Sequence, residues 1–159
     1  MNAESTVQYC TFRVGADEFG INADRVQEVL LAQPMTEVPL THPVLRGLLN
    51  LRGEVVSALD LRRRLGQDDF AADASPVNIV VRDQGEMVSL MVDEIGDVME
   101  LDPSLQEPAP ASLNPNLRGL ITSIFMLKER LLLVVDLDRL LNLDAYPRAA
   151  EPAARPGQA

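Results

Sequence analysis

Tryptophan is absent from this 159-residue sequence, and four Phe and two Tyr are its only aromatic residues. Leucine and valine must therefore supply most of the volume of any core. Cysteine occurs once, at Cys10, so no intramolecular disulfide can form and a reducing compartment fits. Cys10 lies in the strand-like run VQYCTFRV and reads as a small core or sheet residue. No apolar run approaches the roughly 20 residues that cross a bilayer. The N-terminus, MNAESTVQYC, shows neither a basic leader nor an apolar segment, so no signal peptide is read. A cytoplasmic protein with no direct membrane insertion is expected.

Positive charge is also scarce. There are 14 Lys and Arg against 24 Asp and Glu, for a net charge of −10. Nucleic-acid binding rests on neutralising phosphates, and docking on anionic lipid rests on the same sign of charge, so both are disfavoured. A basic partner surface is compatible with this balance, and so is charge kept for solubility.

The residues of common catalytic and metal sites are thinly spread. The one histidine, His42, precedes Pro43 in VPLTHPV and reads as a loop residue, because no Gly-x-Ser-x-Gly elbow or oriented acid accompanies it. One His and one Cys are too few for a zinc site. Asp93, Glu94, Asp97 and Glu100 in VDEIGDVME lack the spacing of an EF-hand loop and read as a solvated face. A small metal-assisted enzyme using Asp93 and Asp97 is the remote alternative. Neither glycine-rich phosphate-binding motif is present. No cofactor, no metal and no catalytic residue are expected.

What is present is a succession of short apolar runs. The length suits one domain, and the hydrophobic fraction of 47% is ordinary for a globular protein. Residues 1–6 are polar and read as a flexible terminus. Residues 145–159, rich in Pro and Ala, read as a disordered tail. The folded unit is placed at residues 7–144. Four strand–turn–strand patterns lie within it: YCTFRVG with FGINA, GLLNL with EVVSALD, VNIVVRD with MVSLMVD, and LRGLITSIFML with LLLVVD. The runs are too continuously apolar for one-sided strands, so both faces should be covered. Ala23–Leu30 has apolar residues at helical spacing and is predicted as a turn or two of helix. DLRRRLG and DLDRLLN are predicted as short helices capped by Asp60 and Asp136, with Gly66 and Asn142 at their ends. Arg62, Arg63 and Arg64 then suit the dipole at the end of the first. The fold class is mainly β with short helices.

The chain also repeats. LRGLL followed by DLRRRL is echoed by LRGLI followed by DLDRLL, pairing Arg46-Gly47 with Arg118-Gly119 and Asp60 with Asp136. On this alignment the second hairpin is longer by four residues. Upstream, FGINADRVQEVL parallels VSLMVDEIGDVM, pairing Phe19 with Val88, Ile21 with Leu90, Val26 with Ile95, Glu28 with Asp97 and Val29 with Val98. Two similar β subdomains are expected, each too small for a sufficient core alone. Between the strands of GLLNL and EVVSALD, Gly53 permits the positive φ of a tight turn, and Arg52 at that tip reads as a solvated residue. Glu28 is its candidate ion-pair partner.

At this point the residues carry a resemblance. GLLNLRGEVVSALDLRRRLG resembles the signature of CheW-like domains, G-hydrophobic-x-N-L-R-G, an apolar strand, then D-L-R. FRVGADEFGINADRVQEVL, VSLMVDEIGDVMELDPSLQEPAP and RLLLVVDLDRLL resemble other parts of the same domain, so the likeness covers nearly the whole folded unit. Ser57 departs from it, since the family often has proline there. The resemblance implies two interleaved SH3-like five-stranded β-barrel subdomains and an adaptor without catalytic activity. The shortness of the chain suggests the standalone adaptor of the family. It would couple the cytoplasmic tip of chemoreceptors to the CheW-like regulatory domain of the histidine kinase CheA, recruited to receptor arrays at the inner membrane. The same scaffold in a non-flagellar pathway, for surface motility or another output, is the alternative. Carried over by position, Glu28 and Arg52 match the family's acidic and basic coupling pair. Val26, Gly47, Ile95 and Val98 match positions in or beside the groove that receives the receptor tip.

Overall fold

A computed structural model describes residues 6–37 and 42–143. The expected tail at 145–159, and all but residue 6 of the expected flexible terminus, lie outside the described residues. The strands in chain order are β1 (Val7–Val14), β2 (Asp17–Asn22), β3 (Val26–Leu30), β4 (Leu45–Leu51), β5 (Glu54–Asp60), β6 (Val77–Asp83), β7 (Glu86–Val92), β8 (Glu94–Leu101), β9 (Glu107–Pro108), β10 (Ile121–Met126) and β11 (Leu131–Val135). Three short helices are α1 (Leu61–Arg64), α2 (Pro115–Arg118) and α3 (Leu137–Leu141). The strands form two sheets, one ordered β8-β1-β2-β11-β10-β9 and the other β3-β6-β7-β5-β4.

The fold is mainly β, and its two sheets have matching order. β8, β1, β2, β11 and β10 of the first correspond to β3, β6, β7, β5 and β4 of the second, with antiparallel neighbours throughout except one parallel pair in each, β2 with β11 and β7 with β5. Register makes the correspondence residue by residue. Val26 faces Val81 and Val81 faces Val88, while Ile95 faces Phe12 and Phe12 faces Phe19. The expected pairings of Val26 with Ile95, Phe19 with Val88 and Ile21 with Leu90 therefore hold in space. The halves are not separate, however. β3 follows β2 in the chain but joins the other sheet, and β8 follows β7 and does the same.

The second part of the sequence repeat is corrected. Ala58 faces Gly47, and its counterpart Val134 faces Ser123, so Gly47 corresponds to Ser123 and not to Gly119. Each hairpin slips its register just before this residue, between Leu45 and Gly47 in one and between Ile121 and Ser123 in the other. The two hairpins are the same length. The residues extra to the second copy lie between β8 and β10, where β9 and α2 are found. Leu117-Arg118-Gly119 ends α2, which Asn114 caps by accepting from the Asn116 N–H at 2.8 Å.

Alternate residues along the strands fill different cores. Leu133 and Val135 of β11, Ile79 and Val81 of β6, and Phe12 and Val14 of β1 point into one cluster shared by both sheets. Leu132 and Val134 point into a local cluster with Tyr9 and Phe125. Val80 points into a second local cluster with Leu49, Val56 and Met91. Both faces of each sheet are thus covered, which explains the unbroken apolar runs. The Phe12 and Phe19 rings stack at 5.8 Å in the shared core, and the Tyr9 and Phe125 rings meet edge to face at 5.6 Å.

The helix caps follow the sequence. Asp60 accepts from the Arg63 N–H at 3.1 Å and Asp136 from the Arg139 N–H at 3.2 Å, while Gly66 has φ +76°. The predicted helix at Ala23–Leu30 is replaced by a single 3-10 turn, Ala23–Arg25, followed by β3. Val26, Glu28 and Leu30 are half-buried while Gln27 and Val29 are exposed, a period of two. Pairing with β6 decides between two periods that so short an apolar run cannot distinguish.

Candidate functional site

β3 and β8 are the terminal strands of their sheets and counterparts in the repeat. The opposite ends are covered. Thr36 bridges to Leu48 of β4 through two backbone hydrogen bonds of 2.9 Å, and β9 pairs with β10 at Ser123 and Ile124. Five of the six residues that the resemblance singles out lie on or against the terminal strands.

Glu28, on β3, is joined to Arg52 at the tip of the β4–β5 hairpin. Arg52 Nη2 donates to Glu28 Oε1 at 2.5 Å. Arg52 and Gly53 both have positive φ, 52° and 86°, the pattern of a two-residue type I′ turn, and Asn50 Oδ1 holds the turn by accepting from the Gly53 N–H at 3.0 Å. β3 and β4 lie at opposite ends of the sheet order, so the Arg52–Glu28 contact joins the hairpin tip to a strand that is not its neighbour in the sheet. The Arg52 side chain is 70% exposed and that of Glu28 25%. The hydrogen bond to Glu28, the charge of Glu28 and then that of Glu54 raise the guanidinium's pKa, so Arg52 stays cationic.

Ile95 and Val98 stand exposed on β8. Val26 is half-buried and packs against the shared core. Gly47 is buried, and an added Cβ there would lie 2.7 Å from both Met35 Cγ and Thr36 O. Its identity is thus explained by close packing and not by surface presentation. Sequence reasoning missed Val29 and Val55, 40% and 64% exposed, which flank Glu28 and Arg52 along the chain. Val29 is the counterpart of Val98, so the repeat itself carried the signal.

The second hairpin tip has different chemistry. Arg130 Nε lies 2.6 Å from Glu18 Oε1, and exposed Met126 and Leu131 face each other beside it. Elsewhere the charged residues have structural work. Arg62 Nε and Nη2 donate to Asp93 Oδ1 and Oδ2 at 2.8 and 2.6 Å, and the Gly15 N–H donates to Asp93 Oδ2 at 2.8 Å. Asp93 is therefore committed, and among the described residues no group of three His, Cys, Asp or Glu is placed to hold a metal ion. The metal-assisted reading is not favoured. Arg46 pairs with fully buried Asp60 at 2.9 Å, and Arg64 is itself buried. The arginine cluster that suggested a dipole effect is held by separate partners. His42 is buried just before β4, where Nδ1 accepts from the Val44 N–H at 3.2 Å. Among the described residues no helix is long and apolar enough to cross a membrane.

Comparison with known proteins agrees with this geometry. The family model described as CheW-like domain matches residues 8–145. Chemotaxis protein CheW of Klebsiella aerogenes is 31% identical over 135 residues, covering 85% of this chain and 81% of the relative. Chemotaxis protein CheW of Bacillus subtilis is 29% identical over 143 residues, covering 90% and 92%. The crystal structure of the scaffolding protein TtCheW from Thermoanaerobacter tengcongensis superposes with a TM-score of 0.77 at 23% identity, covering 86% of this chain and 93% of that one.

Proposed function

From the premise that this chain belongs to the CheW-like domain family, a chemotaxis adaptor of two SH3-like units, we propose that it couples a chemoreceptor to the histidine kinase CheA. The coupling is positional: two interfaces on one rigid scaffold share a free energy, so a change of receptor state alters how the kinase is held. A family of scaffolds also fits a chain without catalytic activity. The relatives named for chemotaxis favour that output over surface motility.

The observation that carries this reading is the Glu28–Arg52 pair, which joins a hairpin tip to a terminal strand, with exposed Val29 next to Glu28 in the chain and exposed Val55 three residues after Arg52. Apolar side chains there supply area for an amphipathic helical hairpin, the form of a receptor's cytoplasmic tip. The charged pair governs register and partner choice more than affinity. Ile95 and Val98 on β8 and Val26 on β3 extend the apolar contact, while Gly47 keeps β4 closely packed against Met35 and Thr36. The second hairpin, with Arg130, Met126 and Leu131, offers a separate surface to the regulatory domain of the kinase. An adaptor so bound would sit in receptor arrays at the inner membrane.

The test is calorimetric titration of the folded chain with a receptor cytoplasmic fragment and, separately, with the regulatory domain of CheA. Saturable binding to both is expected. Folded protein that binds neither overturns the coupling role.

A further inference from the structure

Each half of the chain passes once between the sheets, from β2 into β3 and from β7 into β8. At each crossover a charged side chain pairs with the second residue of a short helix from the other half. Asp93, between β7 and β8, takes the two-pronged contact from Arg62 of α1. Arg25, between β2 and β3, donates from Nη2 to Asp138 Oδ1 of α3 at 3.2 Å. Arg62 and Asp138 are counterparts, each two residues after its capping aspartate, Asp60 or Asp136. The two halves therefore carry similar latches of reversed polarity, offset by one residue at the crossover, where Arg25 aligns with Glu94 and not with Asp93.

The latches are unequal. The Arg62 and Asp93 side chains are 22% and 21% exposed, against 34% and 76% for Arg25 and Asp138. Asp93 also accepts from Gly15 in the β1–β2 turn, so one carboxylate ties together the turn, α1 and the crossover. Arg62 is held in turn by Asp68 O at 3.1 Å and lies 5.4 Å from the Phe70 ring centre. A two-pronged, half-buried contact is stronger and more directional than an exposed single one. The strand that starts after Asp93 is β8, which among the described residues pairs with β1 alone and bears exposed Ile95 and Val98. Its pairing is interrupted opposite Thr11, whose hydroxyl donates to Asp97 O at 2.6 Å. A strand with one neighbour and an interrupted ladder needs its start fixed.

We propose that Arg62 and Asp93 are positioning residues for the partner surface: their ion pair sets the point where the chain enters β8 and so holds Ile95 and Val98 in binding geometry. The partner role of those two residues rests on the coupling reading above. The placement of β8 does not.

Hydrogen exchange on the full chain tests it. In Asp93→Asn and Arg62→Gln, the amides of residues 94–98 exchange about tenfold or more faster, while the β6–β7 hairpin stays as in the unaltered protein. Asp138→Asn, the control at the weaker latch, leaves β8 exchange unchanged. Receptor-fragment affinity falls several-fold in the first two variants only. Unchanged exchange in β8, or a uniform rise across both sheets, overturns the proposal. Should Asp93→Asn fail to fold, Arg62→Lys keeps the charge, loses the two-pronged geometry, and is read by the same criteria. The exchange measurement involves no partner. If the unaltered chain binds no receptor fragment, the coupling reading fails while β8 exchange still decides the latch.

Discussion

Arg52 Nη2 sits 2.5 Å from Glu28 Oε1, linking the β4–β5 hairpin tip to the terminal strand β3 of the same sheet. The contact is mostly in water, where ion pairs add little to stability. It also costs backbone strain, because Arg52 holds φ at 52°. Arg52→Asn separates the two effects. Asparagine before Gly53 favours a type I′ turn, so the melting temperature is expected to hold or rise while receptor-fragment affinity drops several-fold. Circular dichroism and calorimetry measure the two. A fall in melting temperature with unchanged affinity would make the pair structural instead.

Gly47 carries the opposite expectation. An alanine Cβ would meet Thr36 O at 2.7 Å, and Thr36 cannot retreat without breaking its paired hydrogen bonds to Leu48. Overpacking of this kind costs about 1–3 kcal/mol. Gly47→Ala should lower the urea midpoint with an unchanged m-value, and partner affinity measured on the folded fraction should stay near that of the unaltered chain.

Asp93 makes stability depend on pH at the acid end. Burial pushes its pKa up, but the Arg62 hydrogen bond, the Gly15 N–H and the Arg62 charge together outweigh burial and hold it below the usual carboxylate range. A folded-state pKa below the unfolded one stabilises the fold above the unfolded value, near 4, and the contribution is lost as pH falls through the lower, folded value. Asp93→Asn has no such titration. The unaltered protein should exceed it in urea midpoint by a steady margin from neutral pH down to about 5, narrowing below about 4. A margin independent of pH across that range would contradict the assignment.

The local elements were legible because their causes are local. Gly53, Gly85 and Gly66 adopt positive φ where turns and a helix end were expected, and Asp60 and Asp136 cap as their spacing implied. β3 reads as helix in the sequence because only its pairing with β6 selects the strand period. The exchange of β3 and β8 between sheets was hidden for the same reason, since pairing partners are far apart in the chain. The two Leu-Arg-Gly triplets of the hairpin repeat share letters but not environments: Gly47 is buried in a strand, whereas Gly119 ends a helix. Of the candidate site, Glu28 and Arg52 were readable from the family signature. Val29 was within reach only through its repeat counterpart Val98, and Val55 was not, since an exposed valine and a buried one look alike in a strand.

Arg64 tests whether α1 and α3 are joined by more than apolar packing. Its buried guanidinium donates from Nε to Leu140 O at 2.8 Å and from Nη2 to Arg139 O at 2.9 Å. Carbonyls in the last turn of a helix lack the usual partner four residues on; Arg139 O already accepts from the Asn142 N–H at 3.2 Å, so what Arg64 adds to α3 is chiefly its bond to Leu140 O. Leu140 on the same turn is fully buried in the shared core. Arg64→Met keeps an apolar stem of similar reach but removes the donors, and leaving a buried carbonyl such as Leu140 O unpaired costs about 1–3 kcal/mol. Arg63→Met is the control. Arg63 is 35% exposed and its contact to Asp69 lies toward solvent; its Nε is also 3.6 Å from buried Asp60, but Arg46 holds that carboxylate at 2.9 Å, so losing Arg63 should cost less. The expected order of urea midpoints is unaltered chain, then Arg63→Met, then Arg64→Met, with faster hydrogen exchange in α3 for the last alone. Equal midpoints for the two variants would mean that α3 is held by Leu137 and Leu140 packing without the arginine.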